Sequence, residues 1–308
     1  VVAPSDTPTE TIASTVVIGS ASQPVTLILG PSFYNCSVPS GGHCFSVQGF
    51  GSKIQGASQF ATLILPQSGF TGDVIHVEPC STPRCSPSQD ALIDIELSGF
   101  RIDLTNVPTV TAINLLSVRD PSHLHDIEIR YGTGRAINIG TSTIVSNCYG
   151  AGSSGCLSQG IGIDNTYIQT SGATVSDNQV VVSGNQVEMG PNVKIINNGP
   201  LSTTYSGLVI EPSGVANGEG LSNSFFAGSV SGYQYCVLIT AANSTHTPNA
   251  GAQGNIIGPG NTFEHCATGS PSHAGYGVKL TGLDTSTHAA TSNYVFGNYY
   301  VSSTENTV

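Results

Sequence analysis

Apolar residues along this chain come in short clusters, each split from the next by a polar or glycine-rich step. "STVVIG", "PVTLIL", "FSVQGF", "ATLILP", "DVIHVE", "ALIDIEL", "FRIDL", "TAINLLSV", "DIEIRY" and "RAINIG" succeed one another through residue 140. Short β-branched runs bounded by Gly, Pro, Asn and Ser read as strands. No window of a dozen residues carries a 3.6-residue apolar period, so helices longer than a turn or two are not expected. The chain reads as all-β.

The last third repeats itself. "GLVIEPS" is followed by "LSNSFFAGSV", "YCVLITA" by "QGNIIGPGNTF", and "YGVKLTG" by "TSNYVFGNYY". Asn223, Asn255 and Asn293 recur at steps of 32 and 38, and upstream "TAINLL" at Thr111 and "RAINIG" at Arg135 lie 24 apart. Constant strands with a variable period between them are the signature of a solenoid whose loops carry the insertions.

On these repeats the chain resembles the right-handed parallel β-helix of the pectate-lyase and tailspike-like superfamily. The likeness is one of fold. It implies a single-stranded β-helix of about ten coils over residues 13–308, preceded by an extended, Pro- and Thr-rich arm at residues 1–12. It also implies that Asn223, Asn255 and Asn293 stack at successive turns. An array of antiparallel sandwiches is the competing architecture, but Asn-Gly and Asp-Gly hairpin turns are nearly absent.

Composition supports strands and turns over helices: 37 Gly, 17 Pro, no Trp and 9% charged residues in 308. Eight Lys and Arg against 19 Asp and Glu leave a net charge of −11, which repels nucleic acid and anionic membrane surfaces. No apolar stretch is long enough for a membrane-spanning helix. The absence of an initiator Met or leader at "VVAPSDTPTE" is read as a processed, mature chain. Eight cysteines form sequence-near couples: Cys36 with Cys44, Cys80 with Cys85, Cys148 with Cys156, and Cys236 with Cys266. Disulfides are expected, zinc being the rival, since no spacing is C-x-x-C. Disulfides place the protein outside a reducing cytosol, secreted or at a cell surface, and "NST" at Asn243 is a glycosylation sequon.

Charge concentrates between Asp94 and Arg135. At a step of 27, Phe100 falls on Ile127, Arg101 on Glu128, Ile102 on Ile129 and Asp103 on Arg130, so that apolar side chains meet inward and opposite charges meet outward. The preferred reading is an ion-pair ladder. The rival is a groove in which Asp94, Asp103, Asp126 and Glu128 act as paired carboxyls of a glycosidase, or Arg101 and Arg130 as the base and cations of a lyase.

The superfamily's catalytic signatures are missing. There is no Asp-Asp pair and no R-x-K, Gly42-His43 is the sole Gly-His, and "VRDPSH" echoes the lyase arrangement only superficially. No catalytic residue carries over. His123, His125 and Asp126 would make a base or a metal ligand set on a strand, but a turn is expected there; His246, His265, His273 and His288 are scattered, and no metal or other cofactor is assigned. Tyr233, Tyr235, Tyr294, Tyr299 and Tyr300 are candidates for stacking on sugar rings, and insertions at 149–160, 211–220 and 241–254 for groove walls.

The expected function is therefore a structural subunit of an extracellular filament, its partners copies of itself joined head to tail. The assembly residues would be Val1, Val2 and Pro4 in the arm and Tyr294, Phe296, Tyr299 and Tyr300 at the other end. The alternatives are a polysaccharide lyase or glycoside hydrolase acting on an extracellular glycan, and a glycan-binding adhesin.

Overall fold

The computed structural model describes residues 8–20, 23–79, 91–142, 157–212, 222–240, 252–266, 276–281 and 292–301. Every helix or strand assigned among them is a strand, 26 in all. They pair in parallel, in a seventeen-stranded and a nine-stranded sheet. The chain is a parallel β-helix. The sandwich alternative fails because its hairpins would give antiparallel ladders.

The larger sheet bends into two faces, so each coil has three. The bend follows a line of residues with left-handed backbone: Gly99, Asp126, Asn165, Asn192, Ala227, Gly260 and Gly297 all have φ between 41° and 84°. Asp and Asn tolerate that region better than most residues. The amides along the line bond from coil to coil, Asn192 N–H to the Ala227 carbonyl at 3.0 Å and Gly260 N–H to that of Gly297 at 2.8 Å. Strands as long as Val118–Gly132 and Gln159–Thr170 run round this corner.

Inward positions stack in columns. On the first face Ile54, Leu97, Leu124, Ile163, Met189, Phe225 and Ile257 are successive register partners. On the nine-stranded face Ile75, Ile113, Ile137, Val180, Leu208, Val237 and Val278 do the same. All are buried, each contributing about 1.5–3 kcal/mol by leaving water. Because both columns face one core, a coil's strands need only alternate, which is why short clusters suffice.

The step of 27 holds: Phe100 pairs with Ile127, Arg101 with Glu128, Ile102 with Ile129 and Asp103 with Arg130. So does the 24-residue step, with Asn114 opposite Asn138. The asparagine stack forms as expected, Asn223 Nδ2 donating to Asn255 Oδ1 at 3.1 Å and Asn255 Nδ2 to Asn293 Oδ1 at 2.9 Å. A second stack, Asn261 Nδ2 to Asn298 Oδ1 at 3.0 Å, was not foreseen.

Disulfides join Cys36 to Cys44 and Cys236 to Cys266. Cys80, Cys85, Cys148 and Cys156 lie outside the described residues, as do Val1, Val2 and Pro4, the sequon at Asn243, and His246, His273 and His288. The end of the expected arm, Thr9–Ile12, forms a strand paired with Ser32–Cys36.

Candidate functional site

The outward row of the first face runs Lys53, Glu96, His123, Gly162, Glu188 by register, and beside it Gln55, Ser98, His125, Asp164. Outward side chains two apart on a strand share a face, so this stretch gathers carboxylates and imidazoles from coils far apart in sequence. His123 and His125 are thus on a strand, not in a turn. They lie within the strand Val118–Gly132, whose register shifts between Arg119 and Ser122 and which from His123 onward is paired on both sides, to Glu96–Asp103 and to Gln159–Thr170.

An open groove of about 600 Å³ lies over this row, lined by Asp94, Glu96, Asp120, His123, Asp164 and Glu188 and, among the described residues, by no Lys or Arg. Its floor is kept low by Gly162, where a Cβ would come 3.1 Å from His123 Cδ2. His123 Nε2 lies 2.8 Å from Asp164 Oδ2, with both side chains partly open to solvent. If that nitrogen donates, Nδ1 keeps the lone pair of a base.

Glu96 has the most contacts in the group. Lys53 Nζ donates to its Oε2 at 2.8 Å, Gln55 Nε2 to its Oε1 at 2.8 Å, and His125 Nε2 stands 3.5 Å away. The Lys53 hydrogen bond, against some burial and with help from Gln55, lowers its pKa to about 2. Glu96 is a fixed negative charge at neutral pH. Asp126, outside the groove lining, accepts from His125 Nδ1 at 2.8 Å and from Asn165, and these bonds hold its pKa below the ordinary value.

The other foreseen candidates are elsewhere. Arg101, Glu128 and Arg130 lie on the second face, with Glu128 only 3% exposed. Its carboxylate faces Arg101 Nη1 at 3.5 Å and accepts from Arg130 Nε at 2.6 Å. Of the two expected cross-strand pairs, only Arg101–Glu128 is made. Arg130 turns to the carboxylate two residues back on its own strand, and Asp103 accepts instead from the N–H and Oγ1 of Thr105, at 3.0 and 2.6 Å. Tyr233 is fully buried and cannot meet a sugar. Tyr235 stacks on Tyr276, and Tyr300 packs against Phe263. The foreseen wall insertions fall largely outside the described residues.

Asp164 and Glu188 were missed. Asp164 is separated from its register partner His125 by the 143–156 segment, so that step is 39 where the preceding coil's is 27, and Glu188 falls on a glycine, Gly162, with no charge to pair it by.

A second cluster sits on the nine-stranded face. His76 Nδ1 lies 2.8 Å from Asp73 Oδ2 and its Nε2 2.9 Å from Glu78 Oε2, and the His43 ring stacks on it at 4.2 Å. Burial opposes the charge on His76, but the hydrogen bonds and charges of the two carboxylates outweigh it and raise its pKa to about 9. Burial, then the charge on His76, lowers that of His43.

No family model and no curated protein matches the sequence. Among solved structures, the A-module of the Azotobacter vinelandii mannuronan C-5 epimerase AlgE6 is 12% identical, with a TM-score of 0.42 over 91% of each chain. The A-module of AlgE4 from the same organism is 12% identical, with a TM-score of 0.41 over 92% of this chain and 88% of that one. At that identity and overlap neither assigns a site or a reaction to this chain.

Proposed function

We propose that the protein hydrolyses an extracellular glycan bound along the first-face groove, with His123, oriented by Asp164, as the proton-transferring group and Glu96 as a fixed anion. The observation that carries this reading is the His123–Asp164 dyad in a groove lined by Asp94, Glu96, Asp120, Asp164 and Glu188, with Lys53, paired to Glu96, outside the lining. Glycoside cleavage passes through an oxocarbenium-like, positively charged transition state. A groove of carboxylates stabilises such a charge. β-Elimination builds negative charge next to a uronate, which the same carboxylates would oppose, so hydrolysis is favoured over lyase chemistry. By the same charge the substrate is a neutral or amino-sugar glycan and not a polyuronate. The two disulfides fit an extracellular setting.

The test is a panel of neutral, amino-sugar and uronate glycans, read by new reducing ends and by the absorbance of unsaturated uronates. Reducing ends without unsaturation, lost in His123→Asn and in Asp164→Asn while both variants stay folded, support the proposal. Unsaturated products would establish a lyase. Binding without turnover would establish an adhesin.

A second reading, head-to-tail association of copies of the chain, is favoured by the exposed apolar side chains of the last described coil. Tyr294, Phe296, Tyr299 and Val301 are 60%, 52%, 67% and 44% exposed. Electron microscopy of the native protein beside Tyr294→Lys and Tyr299→Lys, which charge that edge, tests it. Filaments lost in the variants support assembly, and single rods in every sample exclude it.

A further inference from the structure

The His43 cluster lies on the nine-stranded face, on a different sheet from the groove, and the proposed hydrolysis makes no use of it. It is assembled by register. Phe45 pairs with Ile75 and Ser46 with His76, which brings His43 into step with Asp73 one coil on. The two loops touch because both carry glycine: a Cβ on Gly72 would fall 1.9 Å from the Gly42 carbonyl oxygen. The disulfide at Cys44 anchors the backbone next to His43.

We infer that His43, Asp73 and His76 form a binding site for a divalent transition-metal ion of the zinc class. One ligand atom from each lies within 4.8 Å of the others. Ligands on a tetrahedral ion at ~2.0–2.1 Å are roughly 3.4 Å apart, so a closure of little more than an ångström completes the set. Two imidazoles and a carboxylate suit zinc, manganese or ferrous iron, with further positions left to water. Half-burial of all three residues leaves that water a path.

The outer contacts match those of a ligand set. His76 would bind through Nδ1, the ion displacing the proton that this nitrogen shares with Asp73 Oδ2, while its Nε2–H faces the Glu78 carboxylate. A ligating histidine nearly always gives its other nitrogen such a partner. Glu78 in turn accepts from Ser142 Oγ. Asp73 Oδ2 accepts from Asn114 Nδ2 at 2.8 Å, Asn114 Oδ1 from Asn138 Nδ2 at 2.8 Å, and Asn138 Oδ1 from Arg135 Nη1 at 2.8 Å. The Asp73 carboxylate is therefore positioned by a chain of three further side chains. His43 Nδ1 faces the Asp73 carbonyl at a long 3.3 Å. Its Nε2 is then the free lone pair, and binding turns this ring out of the stack and edge-on to the ion.

Cobalt(II) supplies the spectroscopic probe and zinc the calorimetric one, both with the full chain. One ion per chain is expected, with affinity weakened at least tenfold in His43→Gln and in Asp73→Asn, and ~10–100-fold in Glu78→Gln. His123→Asn, in the groove, leaves it unchanged. No binding at millimolar cobalt, or binding lost in His123→Asn and kept in His43→Gln, overturns the assignment. Should a variant fail to fold, the wild-type protein decides: bound cobalt broadens the His43 and His76 ring resonances if the site is here, and those of His123 and His125 if it is not.

Discussion

The side-chain oxygen of Asn255 accepts two hydrogen bonds from Asn223, one from the backbone N–H at 2.9 Å and one from the side-chain amide at 3.1 Å. Asn255 repeats the arrangement toward Asn293, giving its own N–H and Nδ2 to Oδ1 at 3.0 and 2.9 Å. A single residue type thus closes the orphaned backbone donor at each corner and ties one coil to the next.

Asn255→Ala should for that reason cost more than a lost contact. It leaves two buried donors of Asn223 unsatisfied, at ~1–3 kcal/mol. Asn255→Asp keeps the acceptor but loses the donor to Asn293 and buries a charge, so it should cost more still. Urea unfolding of both variants checks the order; an Asp variant as stable as wild type would refute the account of the stack.

On the second face, Glu128 stands between two guanidiniums with almost no solvent. Glu128→Gln leaves Arg101 and Arg130 without their carboxylate and should destabilise by ~3–5 kcal/mol, as breaking a buried pair does. Replacing the Arg101–Glu128 pair by Met and Leu should recover much of that loss, because the desolvation of both charges disappears with them. A double-mutant cycle measures the coupling. Glycan cleavage per folded molecule should stay at the wild-type level in every variant, since these residues face away from the groove.

The fold could be read from the sequence because its period is carried by constant strands. Phe100 to Ile127 and Asn223 to Asn255 to Asn293 keep register whatever the loops do. The groove could not be read. Its dyad joins His123 to Asp164 across a coil that contains the 143–156 segment, and no fixed period reaches over an insertion. The metal cluster left a fainter trace: "GGHCFSV" and "TGDVIHV" align at a step of 30, with His43 over Asp73 and Ser46 over His76, but the pattern shows only once the coil is known. The pairing of Asp103 with Arg130 was legible as register and wrong as an ion pair, because register places backbones and leaves a long side chain its choice of partner. Tyr233, a candidate for sugar stacking, instead packs in the core, as tyrosines in β coils more often do.

Glu96 makes stability depend on acid. Its pKa in the folded chain is about 2, below the ordinary 4.5, so the folded state holds the ionised form more tightly than the unfolded state does. The stabilisation is fully present above pH 4.5 and is lost as pH falls from there to about 2. Lys53 supplies the largest part, so Lys53→Met should be less stable than wild type at neutral pH, with the difference closing across that window. A difference that is constant with pH would separate Lys53 from Glu96.

Gly162→Ala puts the catalytic proposal under the sharpest strain. The backbone there has no left-handed φ, so alanine is tolerated, and the lower entropy of its unfolded state offsets part of any crowding. Its Cβ would lie 3.1 Å from His123 Cδ2 and 3.5 Å from Nε2. The imidazole must give by a few tenths of an ångström at Cδ2, and the ring carries with it the adjacent Nε2, which meets Asp164 at 2.8 Å. Since misplacement of a reacting group by about 1 Å costs roughly a hundredfold, turnover should fall by about tenfold while the melting temperature barely moves. Equal turnover in Gly162→Ala and wild type, with the ring displaced in a crystal structure of the variant, would mean that His123 does not transfer the proton and that other residues carry the cleavage.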